Sequence, residues 1–113
     1  ALEANEVSAR CDASRHAEIV AIEKASAALG QTDLSGCTLI ASMQPCEMCL
    51  AAMRWAGITR LIFAARQEAL GDGFFKFGRL TIADLHSASG EAFEYLGGLH
   101  EARVLAMYRT GEA

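Results

Sequence analysis

The sequence predicts an α/β fold built on parallel strands. Two observations carry this prediction: helical and strand-like segments alternate between residues 15 and 65, and two of the segments, 37–43 and 59–65, are nearly continuous apolar runs. Such runs are typical of strands buried on both faces, and the alternation favours helices layered on a parallel sheet. A length of 113 residues, of which 52% are hydrophobic, fits one domain with its own core.

The first half of the chain contains clear signals for where helices begin and end. The segment at residues 1–8 is short and mixes polar with apolar residues, and we expect a strand there. The helix at 15–29 carries an apolar stripe, and Gly30 follows it as a stop signal. Pro45 opens a second helix, which ends before Gly57. Together with the two apolar runs, these segments give the order strand, helix, strand, helix, strand.

The second half gives weaker signals. Residues 66–78 form a glycine-rich loop that carries three Phe. We expect a short helix at 80–87, a last strand at 91–98 and a last helix at 99–109.

Composition limits the partners and the compartment. The net charge of −4 gives no basic surplus to neutralise phosphates, so nucleic acid is not the expected partner. The chain contains no apolar run long enough to span a bilayer and no signal-peptide pattern, so no membrane partner is expected. The four cysteines are too sparse for the disulfide framework of a small secreted domain. We therefore expect a cytoplasmic protein with reduced thiols.

The chemistry is concentrated in two short stretches, "SRHAEIVA" at 14–21 and "MQPCEMCL" at 43–50. Cys46 and Cys49 lie three residues apart in the first turn of a helix, whose positive N-terminus favours thiolates. His16 also lies at a helix start, and adjacent strands would bring both helix starts to the same edge of the sheet. Two Cys and one His leave a fourth position for water, which is the open arrangement of a catalytic zinc. The sequence therefore predicts one Zn²⁺ per chain.

Glu18 is the predicted catalytic residue. It lies two residues after His16, in the first turn of the same helix. A water bound to zinc loses its proton near neutral pH, and a neighbouring carboxylate can accept that proton and deliver it to a substrate.

The Cys pair has other interpretations. A bare C-x-x-C also occurs in redox pairs and in structural zinc sites. A redox pair has no need of the upstream His-x-Glu, and a structural zinc would require a fourth ligand, for which Cys11 is a candidate. Cys37 is most simply a small core residue. The combination of His-x-Glu with Pro-Cys-x-x-Cys about thirty residues later favours catalysis.

"HAE" followed by "PCEMC" resembles the signature of the zinc-dependent cytidine and nucleobase deaminase superfamily. Within it the chain most resembles the bacterial guanine deaminases, best over residues 5–74. The resemblance implies a three-layer α/β/α cytidine-deaminase-like fold with a mixed sheet, a single deaminase domain over residues 1–113, and a homodimer. It implies zinc binding by His16, Cys46 and Cys49, with Glu18 as proton shuttle.

The implied function is hydrolytic deamination of a small nucleobase-like substrate. A nucleobase or related aminated heterocycle would lose its amino group as ammonia, and a guanine-like substrate is favoured. The alternatives are a tRNA adenosine deaminase or a cytosine deaminase. An alternative of another class is a non-catalytic, zinc-stabilised binding module.

The resemblance also implies three substrate contacts. Asn5 would hydrogen-bond the base, the backbone N–H of Ala17 would contact its carbonyl group, and Trp55 would line the base pocket. Apart from the resemblance, Phe74 could form a stacking lid over the substrate with Phe75 and Phe77, or these three residues could merely pack. Asn5 is otherwise a turn residue, and Trp55 is otherwise a core residue. The apolar segment around Met53 and Trp55 could also serve the dimer interface.

The chain departs from the guanine deaminase pattern in two places. Those enzymes carry acidic residues after a Gly-Phe pair, whereas here Phe75 and Lys76 follow Phe74, and Asp72 precedes the pair. The substrate selection made by the loop at 67–79 is therefore left open. The family fold also opens with a helix and a strand before the strand at Asn5, and that strand would otherwise lack a partner. We therefore expect about 30–45 further residues ahead of Ala1 in the natural protein.

Overall fold

The computed structural model describes residues 1–71 and 73–110, and it confirms the α/β class. The helices are α1 (Val7–Arg10), α2 (Ala17–Leu29), α3 (Glu47–Trp55), α4 (Ile82–Ala88) and α5 (Glu101–Thr110). The strands are β1 (Thr38–Met43), β2 (Arg60–Ala65) and β3 (Glu94–Leu96), and a 3₁₀ turn covers Gln67–Ala69. Among these described helices, none has the length and apolar character needed to cross a membrane.

The sheet has the order β1-β2-β3, and both neighbouring pairs are parallel. Ile40 lies opposite Ile62, and Ile62 lies opposite Leu96. α3 connects β1 to β2, and α4 connects β2 to β3, which is the crossover that parallel neighbours require. The antiparallel pairing implied by a mixed sheet does not occur among the described strands. The carboxyl ends of all three strands therefore meet at one edge, from which α3 begins.

Helices cover both faces of the sheet, as the three-layer prediction requires. On one face Leu39 and Leu61 of the sheet pack with Leu50 and Met53 of α3, in a core that residues of α2 and α4 also join. On the other face α5 packs against β2. Ser42 of β1 shares a hydrogen bond of 3.1 Å with a tyrosine hydroxyl of α5, that of Tyr108.

β1 is buried on one face only, so the expectation of burial on both faces is wrong for this strand. Ile40 leaves 73% of its surface exposed, whereas the neighbouring Leu39 is buried. The apolar run still forms a strand because its alternate side chains reach the α3 side of the sheet. β2 is the strand that both layers cover: Phe63, Ala64 and Ala65 are consecutive buried residues.

The strand expected at residues 1–8 is also wrong. Residues 1–6 form no regular element, and α1 follows them directly. Two local bonds engage the end of this segment: the side-chain oxygen of Asn5 accepts from the N–H of Val7 at 2.8 Å, and the N–H of Glu6 donates to the carbonyl of Arg15 at 2.9 Å. These two donors are used in turns and are not available to a neighbouring strand.

Candidate metal and catalytic site

Three side chains converge where α2 and α3 begin. His16 is the N-cap of α2, Cys46 is the N-cap of α3, and Cys49 lies in the first turn of α3. The two Cys Sγ atoms are 3.7 Å apart, and His16 Nδ1 is 3.5 Å from Cys46 Sγ and 3.6 Å from Cys49 Sγ. The predicted ligand set is therefore assembled, with both thiols buried and the imidazole half-buried.

These separations fit a tetrahedral zinc ion. Zn–S bonds of about 2.3 Å and Zn–N bonds of about 2.0–2.1 Å, at tetrahedral angles, place two sulfurs about 3.8 Å apart and a sulfur and a nitrogen about 3.6 Å apart. The observed distances agree with both values to within 0.1 Å. His16 presents Nδ1 to the sulfurs, so Nδ1 is the ligand atom. Three protein ligands leave one position of the tetrahedron for water or substrate.

Hydrogen bonds in the segment before α2 hold His16 in place. Asp12 Oδ1 accepts from both the N–H and the hydroxyl of Ser14, at 2.9 and 2.7 Å. The guanidinium of Arg15, whose side chain is 12% exposed, pairs with Glu6 at 2.9 Å and with Glu23 at 2.7 Å. The bond from Arg15 lowers the pKa of Glu6 below its usual value. This network ties the turn to α2 on either side of the metal ligand.

The two thiols share one proton unequally. The pKa of Cys46 falls to about 6 because of its hydrogen bond with the Cys49 thiol, with help from the backbone N–H groups of Cys49 and Met48 and from His16. The pKa of Cys49 rises because its proton is held by Cys46, because the site is buried, and because Glu18 lies beside it. Zinc binding releases such protons, since only thiolates are ligands.

Glu18 lies in the first turn of α2, beside the thiol of Cys49. Two residues on a regular helix are separated by about 200° around the axis, which would point Glu18 away from His16. His16, however, is a cap with extended backbone angles, φ −63° and ψ 154°, so its side chain does not follow the helical rotation. Glu18 is half-buried, and its carboxylate is close enough to Cys49 to raise that thiol's pKa. A carboxylate thus lies beside the metal ligands.

The fourth-ligand alternative is wrong. Among the described residues the metal group contains His16, Cys46 and Cys49 alone. Cys11 is exposed, and its Sγ donates to the carbonyl of Ser8 at 3.8 Å. Cys37 is half-buried and packs against the core, as expected of a small apolar residue.

Two predicted substrate contacts lie at the start of the chain. Ala17 is the first residue of α2, directly after His16, where helix geometry leaves a backbone N–H without an intrahelical acceptor. Its contact with a substrate carbonyl stays a prediction. Asn5 is exposed, and its Oδ1 accepts from the N–H of Val7 in a turn that leads into α1, which is the turn role that the sequence left open. Its bond to a base also stays a prediction.

Trp55 does not join the ligands within this chain. It is the last residue of α3, and six helical residues place it about 9 Å beyond Cys49 along the axis. Its side chain is 90% exposed, so the core alternative is wrong. With Ala51 and Arg54 it lines an open depression on the surface. Its contact with a base stays a prediction. Met53 is fully buried in the core and is not available to a partner.

The loop that carries Phe74 lies against the start of α3. Glu47, the residue after Cys46, accepts from the N–H groups of Lys76 and Phe77 at 3.0 and 3.3 Å. Phe74 is 46% exposed, and its lid role stays a prediction. Asp72 lies outside the described residues.

Sequence reasoning assigned no role to three residues that organise this edge of the sheet. They are Gln44, Glu47 and Gln67. Gln44 is 5% exposed, and its Oε1 accepts from the N–H of Gln67 at 2.9 Å. The amide of Gln67 donates in turn to the carbonyls of Gly78 and Leu80 at 3.3 and 3.5 Å. Nothing in the sequence marks these residues, because their partners are backbone atoms 11 to 30 positions away.

Comparison with known proteins agrees with this geometry. Guanine deaminase of Bacillus subtilis is 38% identical over 71 residues, which are 63% of this chain and 46% of that protein. A tRNA-specific adenosine deaminase of Agrobacterium fabrum is 43% identical over 60 residues, which are 53% of this chain and 40% of that protein. The crystal structure of a mutant of NE0047 in complex with 8-azaguanine matches with a TM-score of 0.79 at 30% identity, over 96% of this chain and 62% of that chain.

The chain thus spans less than half the length of these two curated relatives and about three fifths of the matched structure. The family profile described as the cytidine and deoxycytidylate deaminase zinc-binding region matches residues 1–65, which include all three ligands and Glu18. This match covers more than half of the chain. The fold, the ligand geometry and the family profile together place the chain in the zinc-dependent cytidine and deoxycytidylate deaminase family, on its guanine deaminase-like side.

Proposed function

We propose that this protein is a zinc-dependent hydrolytic deaminase of an aminated heterocycle, with a guanine-like base as the favoured substrate. The observation that carries the proposal is the tetrahedral spacing of His16, Cys46 and Cys49, with one position free and Glu18 beside the ligands. A structural zinc would use its fourth position for a protein ligand. A free position next to a carboxylate suits hydrolysis instead.

A bound zinc ion supplies the Lewis acidity that makes water a nucleophile at neutral pH. Glu18 transfers the protons of the reaction. Its carboxylate accepts a proton from the attacking water and passes it to the ring nitrogen beside the amino-bearing carbon. In the second half of the reaction Glu18 carries the remaining water proton to the amino nitrogen, the C–N bond breaks, and ammonia leaves. The product is the keto form of the base, so atoms and protons balance.

A guanine-like substrate is favoured by likeness to relatives and by charge. A guanine deaminase and a protein crystallised with 8-azaguanine are among the relatives. A tRNA adenosine deaminase is the second candidate, because an enzyme of that name matches 53% of the chain. The net charge of −4 counts against it, since a tRNA is bound largely through its phosphates. Cytosine is a further candidate base, and the binding module without catalysis is the alternative from another class.

The test combines a substrate panel with Glu18→Gln. Ammonia release from the zinc-loaded protein is measured with free purines and pyrimidines, their nucleosides and a tRNA anticodon stem-loop. The variant is expected to keep its zinc and to lose turnover by about two to four orders of magnitude, as for removal of a general acid-base. Glu94→Gln, at an exposed glutamate on β3, is the matched control and should change neither the zinc content nor the turnover rate. A zinc-loaded wild type that releases no ammonia would support the binding module, and activity on the stem-loop alone would support the tRNA enzyme.

The homodimer is a separate proposal. An indole that is 90% exposed at the end of α3, next to the exposed Ala51, offers an apolar surface for a second copy. Sedimentation velocity is expected to give a dimer for the wild type and a monomer for Trp55→Lys.

We also propose a cytoplasmic location and a single deaminase domain over residues 1–113. All four cysteines are free, and two of them are metal ligands that need the reduced form. A reducing compartment keeps them so. Rapid acid quenching of cells, followed by thiol alkylation, should find the Cys11 and Cys37 thiols reduced.

A further inference from the structure

We propose that Glu47 is a positioning residue that fixes the loop at 73–80 against the start of α3, next to the metal ligands, and thereby sets substrate discrimination. This inference rests on the proposed deaminase function for its effect on substrates, but not for its effect on the loop.

The position of Glu47 ties the loop directly to the metal helix. Glu47 is the first residue of α3 and lies between the two thiolate ligands Cys46 and Cys49. A single carboxylate oxygen, Oε1, accepts from two consecutive backbone N–H groups, those of Lys76 and Phe77. Two adjacent amides held at one point fix both the place and the direction of the chain there. Bonds to an ionised acceptor are also the stronger kind.

A second tether holds the far end of the same loop. The side-chain amide of Gln67 donates to the carbonyls of Gly78 and Leu80. Gln67 is held in turn by the buried Gln44, which directly precedes Pro45 and the ligand Cys46. Both tethers therefore lead back to the start of α3.

The tethers act on backbone atoms and leave the loop side chains unengaged. Phe74 and Phe77 are 46% and 65% exposed, and Phe75 is half-buried. Aromatic rings on a fixed backbone at the edge of a zinc site suit the faces of a planar heterocycle. The loop is also rich in glycine, with Gly73 at a φ of +102°, so without tethers its backbone would sample many conformations. Glu47 thus supplies order that the loop sequence itself lacks.

The test compares Glu47→Ala, Glu47→Gln and the wild type, all zinc-loaded. Hydrogen exchange at the amides of Lys76 and Phe77 is expected to speed up about tenfold or more in Glu47→Ala, because their acceptor is gone. Glu47→Gln keeps an acceptor oxygen and should restore most of the protection. Zinc content should stay at one per chain in both variants. Glu94→Ala is the matched control and should leave these amides unchanged.

Steady-state kinetics on the best substrate of the panel supply the functional readout. Glu47→Ala should raise KM about tenfold and lower kcat by a smaller factor. It should also reduce the ratio of kcat/KM for the best base to kcat/KM for the second-best base. Glu47→Gln should partly restore both the KM and this ratio. Unchanged exchange at the two amides overturns the tether, whatever the activity. Faster exchange with unchanged KM and unchanged discrimination overturns the specificity role. A wild type that is inactive on every base contradicts the proposed function instead, while the exchange comparison still decides the tether.

Discussion

Gln44→Met isolates one hydrogen bond that joins the metal helix to the end of β2. The substitution keeps the length and most of the volume of the side chain and removes its acceptor oxygen. Gln44 is 5% exposed, and its Oε1 accepts from the N–H of Gln67 at 2.9 Å. Methionine cannot accept that bond effectively, so the N–H of Gln67 is left without its partner.

The expected loss of stability follows from that geometry. A partly buried N–H deprived of its acceptor costs about 1–3 kcal/mol, which includes its desolvation. For a chain of 113 residues the unfolding entropy is on the order of 0.24 kcal/mol per kelvin, so each kcal/mol lowers the melting temperature by about 4 °C. We therefore expect the melting temperature to fall by roughly 4–12 °C.

The assay is thermal and urea unfolding of the zinc-loaded protein, with zinc content checked before each experiment. Gln31→Met is the matched control, since Gln31 is exposed and its amide donates only to the carbonyl of Asp33 in its own turn. It should change the free energy of unfolding by no more than about 0.5 kcal/mol. If Gln44→Met is as mild as this control, the bond contributes nothing and the reasoning fails.

Two further predictions concern the attachment of β3 and α5 to β2. Gly97→Ala should destabilise the protein by about 1–3 kcal/mol in urea unfolding, because the new methyl would overlap the buried ring of Phe63. Gly71→Ala is the control, because a methyl group there would meet open space, and it should barely change the free energy of unfolding. If both variants lose the same stability, the packing argument is refuted. A hydrogen bond from Arg66 lowers the pKa of Glu101 to about 2. The pKa of Glu101 is thus lower in the folded protein than in the unfolded chain, where it is about 4.3. The ionised carboxylate therefore stabilises the fold above about pH 4.3, and this stabilisation is lost as the pH falls toward 2. The melting temperature of Glu101→Gln should therefore lie below that of the wild type at pH 7, and the gap should close over this pH range; a constant gap would contradict the pKa.

Local signals in the sequence were sufficient for most of the fold. Apolar runs gave β1 and β2, and Pro45 with Gly57 gave the bounds of α3 to within two residues. The strand expected at residues 1–8 failed because side-chain and turn hydrogen bonds, which periodicity does not reveal, engage the N–H groups of Glu6 and Val7 and lead the chain into α1. The alternative interpretation of Trp55 as a core residue is wrong, because hydrophobicity alone does not show which end of a helix the core reaches.

The zinc chemistry follows from the amino-acid sequence. Two thiols three residues apart at a helix start, and a His-x-Glu at another, restrict the metal and its open position through ligand type and spacing alone. The contacts that surround the metal ligands depend on how the chain folds. Spacing within a helix cannot bring His16 to 3.5 Å from a thiol thirty residues away, nor Glu47 to the backbone of a loop at 76–77. The physical reason is that these contacts join the ends of separate elements, and their geometry is set by how the helices pack on the sheet.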